Sequence, residues 1–231
     1  MKKNIVLVVA SHPDDEILGC GATMARHCNA GDEVHVAILA EGLTSRASQR
    51  NVGECEEELS TLKKTAEQAN KLLGVTSIQF FNLPDNRMDS VDLIDVVKVV
   101  EGLVASISPN IIYTHHIGDV NIDHRVTHEA VVTACRPQPG CKVEKILFFE
   151  VASSTEWQTM NTATPFQPNW FVDVSETLDQ KIKALQVYES EMRDWPHARS
   201  TTALEHLARW RGATIGCRAA EAFILGRSIQ Y

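Results

Sequence analysis

Val6-Leu7-Val8-Val9-Ala10-Ser11-His12-Pro13-Asp14-Asp15-Glu16-Ile17-Leu18-Gly19-Cys20-Gly21 is the stretch on which the fold turns. Its first half is an unbroken apolar run rich in valine, the pattern of a strand buried on both faces. The run stops at Ser11, and a histidine, a proline and three acidic residues fill positions 12–16. Apolar residues then recur at helical spacing through Ile17, Leu18, Ala22, Met24 and Ala25. A strand, a short polar loop and a helix form the opening unit of an α/β sheet, whose ligands sit at the carboxyl ends of the strands. His12, Asp14, Asp15 and Glu16 are therefore expected on the functional edge.

These residue types invite a metal. His12 and Asp15 lie three apart across a helix start, where both side chains can face one point, and imidazole and carboxylate are good ligands for a zinc-like ion. Carboxylates in a first helical turn are also favoured by the helix dipole without any ion. The buried strand before them, the histidine and Pro13 shift the reading toward a site.

Working outward, residues 32–40 predict a second strand, with Val34, Val36 and Ile38 alternating. Residues 41–52 predict a loop at its carboxyl end holding Ser45, Arg46, Ser48, Arg50 and Asn51. An arginine there can bind hydroxyls or a phosphate of a substrate, although solvated loop charge is the simpler reading of either one. Residues 54–73 predict a helix stopped by Gly74, and 76–81 a third strand entering the polar loop 82–89. Residues 91–107 are helical by spacing, and 110–114 form a fourth strand.

A second cluster follows at once: Thr114-His115-His116-Ile117-Gly118-Asp119-Val120-Asn121-Ile122-Asp123-His124-Arg125-Val126-Thr127-His128. It repeats strand, polar loop and helix start, with residues 125–134 as the helix. The two loops converge if their strands are neighbours, which would bring a third ligand from a distant part of the chain. Residues 145–151 predict a fifth strand, 152–167 an irregular segment that could be a lid or an oligomer contact, and 169–174 a short strand. Ser175 reads as the N-cap of a helix running to about residue 191, 201–210 as another helix, and 219–231 as a compact apolar tail.

The 231 residues are 44% hydrophobic and 23% charged, enough for one sizeable soluble core. A net charge of −8 argues against a nucleic-acid or anionic-membrane surface. No apolar segment reaches transmembrane length. The Met1-Lys2-Lys3 start resembles a signal peptide, but its apolar core is short and no convincing cleavage site follows, so a cytoplasmic protein is expected. The six cysteines form no Cys-x-x-Cys pair and are expected to be reduced packing residues.

The two clusters together resemble the PIG-L/LmbE-like family of metal-dependent N-acetylglucosamine deacetylases. Ser11-His12-Pro13-Asp14-Asp15-Glu16 is similar to the family's Ala-His-Pro-Asp-Asp-Glu. Asp119-x-Asn121-x-Asp123-His124 is similar to its Asp-x-His-Pro-Asp-His. Element order is similar over about residues 3–150, and Ala220-Glu221-Ala222-Phe223 also looks familial. The resemblance implies one domain over residues 1–231, built on a Rossmann-like, mostly parallel α/β sheet flanked by helices, with a C-terminal helical extension. It implies His12, Asp15 and His124 as metal ligands, Zn²⁺ being favoured and Fe²⁺ an alternative. It also implies Asp14 as general base, with Asp123 and the residue at 121 serving the oxyanion. Asn121 stands where the family has histidine; it cannot carry charge but can donate a hydrogen bond, and His115 or His116 could serve instead. Arg46 and Asp119 are the expected substrate contacts. His128, four residues after His124, is expected on the helix surface.

The implied reaction removes an N-acetyl group from an amino sugar or its conjugate, releasing acetate and a free amine. The expected partner is that small molecule, with no nucleic acid, no membrane insertion, and homo-oligomerisation left open. Another N-acylated small molecule is the nearest alternative substrate. Nucleotide binding is a different class, but Gly19-Cys20-Gly21 is followed by Met24 where its fingerprint needs glycine. A metal-binding protein without catalysis is a further class, against which the free carboxylate of Asp14 argues.

Overall fold

β1 (Ile5–Ala10) is buried along almost its whole length because it lies inside a sheet of seven described strands, in the order β3 (Ser77–Leu83), β2 (Glu33–Ala40), β1, β4 (Ile111–His115), β5 (Lys145–Phe149), β7 (Ala220–Ser228), β6 (Trp170–Asp173). The computed structural model describes residues 3–46, 50–159 and 161–230, apart from the side chains of Arg46, Val52 and Glu54. Arg46 is thus placed only through its backbone, and Ser48 of the same loop lies outside the described residues.

β2 (Glu33–Ala40), β3 (Ser77–Leu83), β4 (Ile111–His115) and β5 (Lys145–Phe149) run parallel to β1 through successive pairings. Strand residues alternate between two core layers, as the pleat requires. Val6, Val8, Val36 and Tyr113 face α1 (Asp15–Asn29), α2 (Glu56–Leu72), α5 (Leu178–Val187) and α6 (Thr201–Ala213). Leu7, Val9, Leu39 and Ile112 face α3 (Leu93–Ile107) and α4 (Ile122–Ala134).

β1 and β4 are neighbours in the register Val9↔Thr114, so the loops leaving them lie side by side. The strand order reverses between these two strands, the place where open α/β sheets bind ligands.

The C-terminal part contains α5 and α6 and then returns to the sheet. The expected apolar tail is β7 (Ala220–Ser228), which pairs antiparallel with both β5 and β6 (Trp170–Asp173). Ser175 does not cap α5. That helix starts after Thr177 and ends at Val187, while Ser175 Oγ donates to Asp173 Oδ1 at 2.5 Å. His128 is buried rather than on the surface: its ring packs on Phe148 and its Nδ1 donates to the His115 carbonyl at 2.9 Å.

α1 is broken at Cys20 (φ −148°, ψ 22°). Glu221 on β7 accepts the N–H groups of Ala22 and Thr23 beyond the break, at 3.2 and 2.7 Å. Lys181 on α5 donates to the Leu18 carbonyl before it at 2.7 Å and pairs with Glu221 at 2.6 Å. A buried ion pair thus satisfies backbone groups that the kink sets free. Gly19 permits close packing at the same place, since a Cβ there would lie 2.3 Å from the Phe149 ring. Gly19 therefore serves helix–sheet packing, while a Cβ at Gly21 would meet Ile17 at 2.7 Å and Lys181 on α5 at 3.4 Å. No disulfide joins the cysteines among the described residues, and no described helix is long and apolar enough to cross a membrane.

Candidate metal centre

The β1–α1 turn sets the site. Asp14 is the N-cap of α1, yet its side chain makes no cap hydrogen bond and its φ is 111°, a strained value for an L residue. Aspartate at this position ordinarily bonds its own helix N-terminus. Here Oδ2 instead accepts from Arg199 Nη1 at 2.6 Å, while Arg199 Nε donates to Ser153 Oγ at 2.6 Å. Burial, together with the neighbouring carboxylates of Asp15, Glu191 and Glu16, pushes the Asp14 carboxyl well above its ordinary range, against the pull of Arg199.

Asp15 and His12 come from the same turn, and α4 delivers His124 from the adjacent strand end. His12 Nδ1 lies 3.0 Å from Asp15 Oδ2, and His124 Nε2 lies 3.1 Å from the same oxygen. One ligand atom from each residue falls within 4.8 Å of the others.

The opposite nitrogen of each imidazole is held by carboxylates. His12 Nε2 donates to Asp123 Oδ2 at 3.0 Å and lies 3.3 Å from Asp85 Oδ1. His124 Nδ1 lies 3.2 Å from Asp119 Oδ2. Such partners fix the tautomer, so His12 presents Nδ1 and His124 presents Nε2 to the shared point.

The charge balance fits a cation. Asp15, Asp85, Asp119 and Asp123 are all buried around two histidines. Burial works to lower the His12 pKa, but bonds to Asp123, Asp15 and Asp85 outweigh it and hold the ring well above 6.5. His124, also opposed by burial, is raised to about 9 by Asp15 and Asp119. The same imidazoles keep Asp15 well below the usual range despite its burial. Asp15 Oδ1 and His124 Nε2 have no hydrogen-bond partner among the described residues. Ligands about 2 Å from a tetrahedral ion sit about 3.3 Å apart, close to the spacing of these donors. The donor set therefore fits a divalent ion that would take the place of the imidazole protons.

The other expected residues fall around this point. Asn121 caps α4, its Oδ1 accepting Asp123 N–H at 2.8 Å, and its Nδ2 donates to Asn86 Oδ1 at 3.0 Å. Asp119 is wholly buried rather than open to a substrate. It accepts from Asn121 N (2.9 Å), Thr155 Oγ1 (2.7 Å) and Ser154 Oγ. Asp123 accepts the N–H groups of Asn86 and Met88 besides its His12 contact. His115 stacks on His124 at 3.9 Å between ring centroids, and its Nε2 accepts Ser11 N–H at 2.9 Å. His116 turns away and bonds the Thr164 carbonyl at 2.8 Å. Arg50 pairs with Glu41.

Sequence reasoning did not single out Asp85, Ser154 or Thr155. Asp85 had a signal, since its loop follows a third parallel strand on the same edge. Ser154 and Thr155 had none, because the irregular segment gives no periodicity to place them.

Fold and site together define an α/β enzyme scaffold with a largely buried His/Asp metal-ligand group at the ends of two adjacent parallel strands. The sequence profile of the PIG-L family, described as GlcNAc-PI de-N-acetylase, matches residues 7–135, and the chain belongs to that family of deacetylases. The uncharacterized deacetylase YaiS of Escherichia coli K12 is 27% identical over 195 residues, covering 82% of this chain and 92% of the relative. A probable N-acetyl-alpha-D-glucosaminyl L-malate deacetylase 2 of Bacillus cereus is 27% identical over 188 residues, covering 80% and 83%. Among solved structures, the 4-carboxy-2-hydroxymuconate hydratase of Pseudomonas putida KT2440 superposes with a TM-score of 0.77 at 22% identity, covering 100% and 98%. The fold alone therefore does not select a reaction.

Proposed function

We propose that the chain is a zinc-dependent hydrolase that removes the N-acetyl group of an amino sugar or amino-sugar conjugate, giving acetate and a free amine. The observation that carries this reading is the His12–Asp15–His124 group, with Asp15 and His124 buried and His12 partly so, next to the Asp14 carboxylate, which is turned to Arg199. His12 Nδ1, Asp15 and His124 Nε2 would hold the ion, and two imidazoles with one carboxylate suit Zn²⁺. When bound, the ion supplies Lewis acidity toward an amide carbonyl and toward water.

The chain's own residues do the rest. Asp14 takes the proton of the attacking water at Oδ1, because Arg199 occupies Oδ2, and returns it to the leaving amine. Burial raises its proton affinity, against the pull of Arg199. Asp119 holds His124, and Asp85 with Asp123 holds His12. Asn121 has a second amide hydrogen beyond the one given to Asn86, and donates it to the developing oxyanion. Arg46, on the loop leaving β2, meets the substrate's polar groups.

The substrate class rests on the relatives, of which the Bacillus cereus protein is named for an N-acetylglucosaminyl conjugate. The test is acetate release by zinc-reconstituted protein from free, glycosidic and nucleotide-linked N-acetylhexosamines and from N-acetylated amines without a sugar. Turnover of at least one class that stops on chelation and returns with zinc is the expected result. Turnover confined to N-acylated compounds without a sugar would replace the amino-sugar reading with a broader amidase.

A further inference from the structure

Asp14 keeps a strained backbone, and a strained residue persists only where its surroundings over-determine it. Its N–H donates to Glu16 Oε2 at 3.0 Å. The other oxygen of Glu16 accepts from Asn70 Nδ2 on α2 at 2.8 Å and from the Tyr188 hydroxyl at the end of α5 at 2.9 Å. Glu16 and Tyr188 are fully buried and Asn70 nearly so. Asn70 Nδ2 is itself fixed by the Ala66 carbonyl at 2.9 Å. Three helices thus place polar side chains in an apolar layer, and the chain of bonds ends on one backbone N–H. That N–H belongs to the residue with φ 111°.

We infer that Glu16, braced by Tyr188 and Asn70, is a positioning clamp that holds Asp14 in its working conformation. Asp14 has a competing conformation open to it, the ordinary N-cap geometry in which its carboxylate bonds the first turn of α1. In that geometry the carboxylate would leave Arg199 and the metal group. Glu16 blocks the change by pinning the Asp14 N–H, and Tyr188 and Asn70 fix the oxygen opposite the one that pins it. Tyr188 lies outside the family match, so the C-terminal part of the chain controls the turn that carries the site. The effect on catalysis rests on the reading of Asp14 as the base; the effect on geometry does not.

The test uses the full chain as wild type, Tyr188→Phe and Asn70→Ala/Tyr188→Phe. In metal-free protein, NMR hydrogen exchange should be at least about tenfold faster at the Asp14 amide in the double variant, with the amides of residues 22–25 in the same helix little changed. Zinc affinity by competition with a chelator should stay within about threefold, because the ligands' own partners are untouched. Acetate release from N-acetylglucosamine or its glycoside should lose about tenfold or more in kcat with KM nearly constant, since a base is misplaced rather than a binding contact removed. Uniformly faster exchange along α1 would make the network plain helix glue and overturn the clamp, as would unchanged exchange at Asp14. Tyr188→Phe deletes a single oxygen and decides the question by the same selective pattern if the double variant does not fold. A wild type that releases no acetate would overturn the base reading, while exchange at Asp14 still decides the clamp.

Discussion

At the scale of single residues, Asp14 and Asp15 are adjacent in sequence and opposite in environment. Asp15 faces the imidazoles of His124, His12 and His115, which hold its carboxyl well below the usual range, whereas Asp14 lies in a buried pocket with a raised proton affinity and one arginine. Neighbouring carboxylates with divergent proton affinities are what an acid/base assignment looks for. Asp14→Asn should keep zinc and slow turnover by ~10²–10⁴-fold, the usual share of a positioned general base. Asp15→Asn should lose zinc as well, because a neutral amide is a poorer ligand. Metal content and acetate release measured on both variants separate the roles; loss of the ion from Asp14→Asn with retention in Asp15→Asn would reverse them. The first cluster was legible because strand, histidine and acids fall in one short run. What held those residues was not. Asp119 reads as a polar loop residue in sequence, yet folding buries it behind His124. Asp123 turns to His12 once Asn121 spends its carbonyl capping α4. Such pairings depend on contacts across the sheet, which spacing along the chain cannot encode.

At the scale of elements, the segment following β5 is a strap over the second cluster. Ser154 and Thr155 bond Asp119, the Thr164 carbonyl accepts from His116, and the Phe166 ring lies edge-on to His116. Gly118 makes this closeness possible, because a Cβ there would come within 1.8 Å of the Thr164 oxygen. Gly118→Ala must therefore push the strap away. Overpacking of this kind costs about 1–3 kcal/mol. The displaced strap would also loosen the bonds that orient Asp119 and, through it, His124. Zinc affinity should fall by about 10–100-fold, the range seen when outer partners of a ligand are lost, and protease should cut within residues 152–167 more readily. An affinity equal to wild type would show that the strap leaves the centre alone. Strands β1 to β5 were readable from unbroken or alternating apolar runs. β7 was not, because Ala220-Glu221-Ala222-Phe223-Ile224-Leu225 fits a strand or a helix equally until its partners are known.

At the scale of the whole molecule, the family match ends at residue 135, yet the later chain completes both the sheet and α1. β7 closes the sheet between β5 and β6 and carries Glu221 under the break in α1, where Lys181 meets it from α5. An ordinary buried ion pair can often be exchanged for apolar residues with little loss, whereas removing one partner costs about 3–5 kcal/mol. This pair differs because both members also serve the backbone. Glu221 accepts two N–H groups of α1, and Lys181 donates to the Leu18 carbonyl. Glu221→Leu should therefore destabilise by about 3–5 kcal/mol, stranding both a lysine and two amides. In Lys181→Met/Glu221→Leu the stranded charge is gone, but the two amides and the carbonyl remain unsatisfied. That double variant should recover only part of the loss and stay about 1–3 kcal/mol below wild type. Urea unfolding of the two variants and wild type, with unchanged slopes to confirm a common unfolded state, gives the comparison. A double variant as stable as wild type would mean that the kinked helix needs no outside acceptor, and that the pair is only a charge matched to a charge.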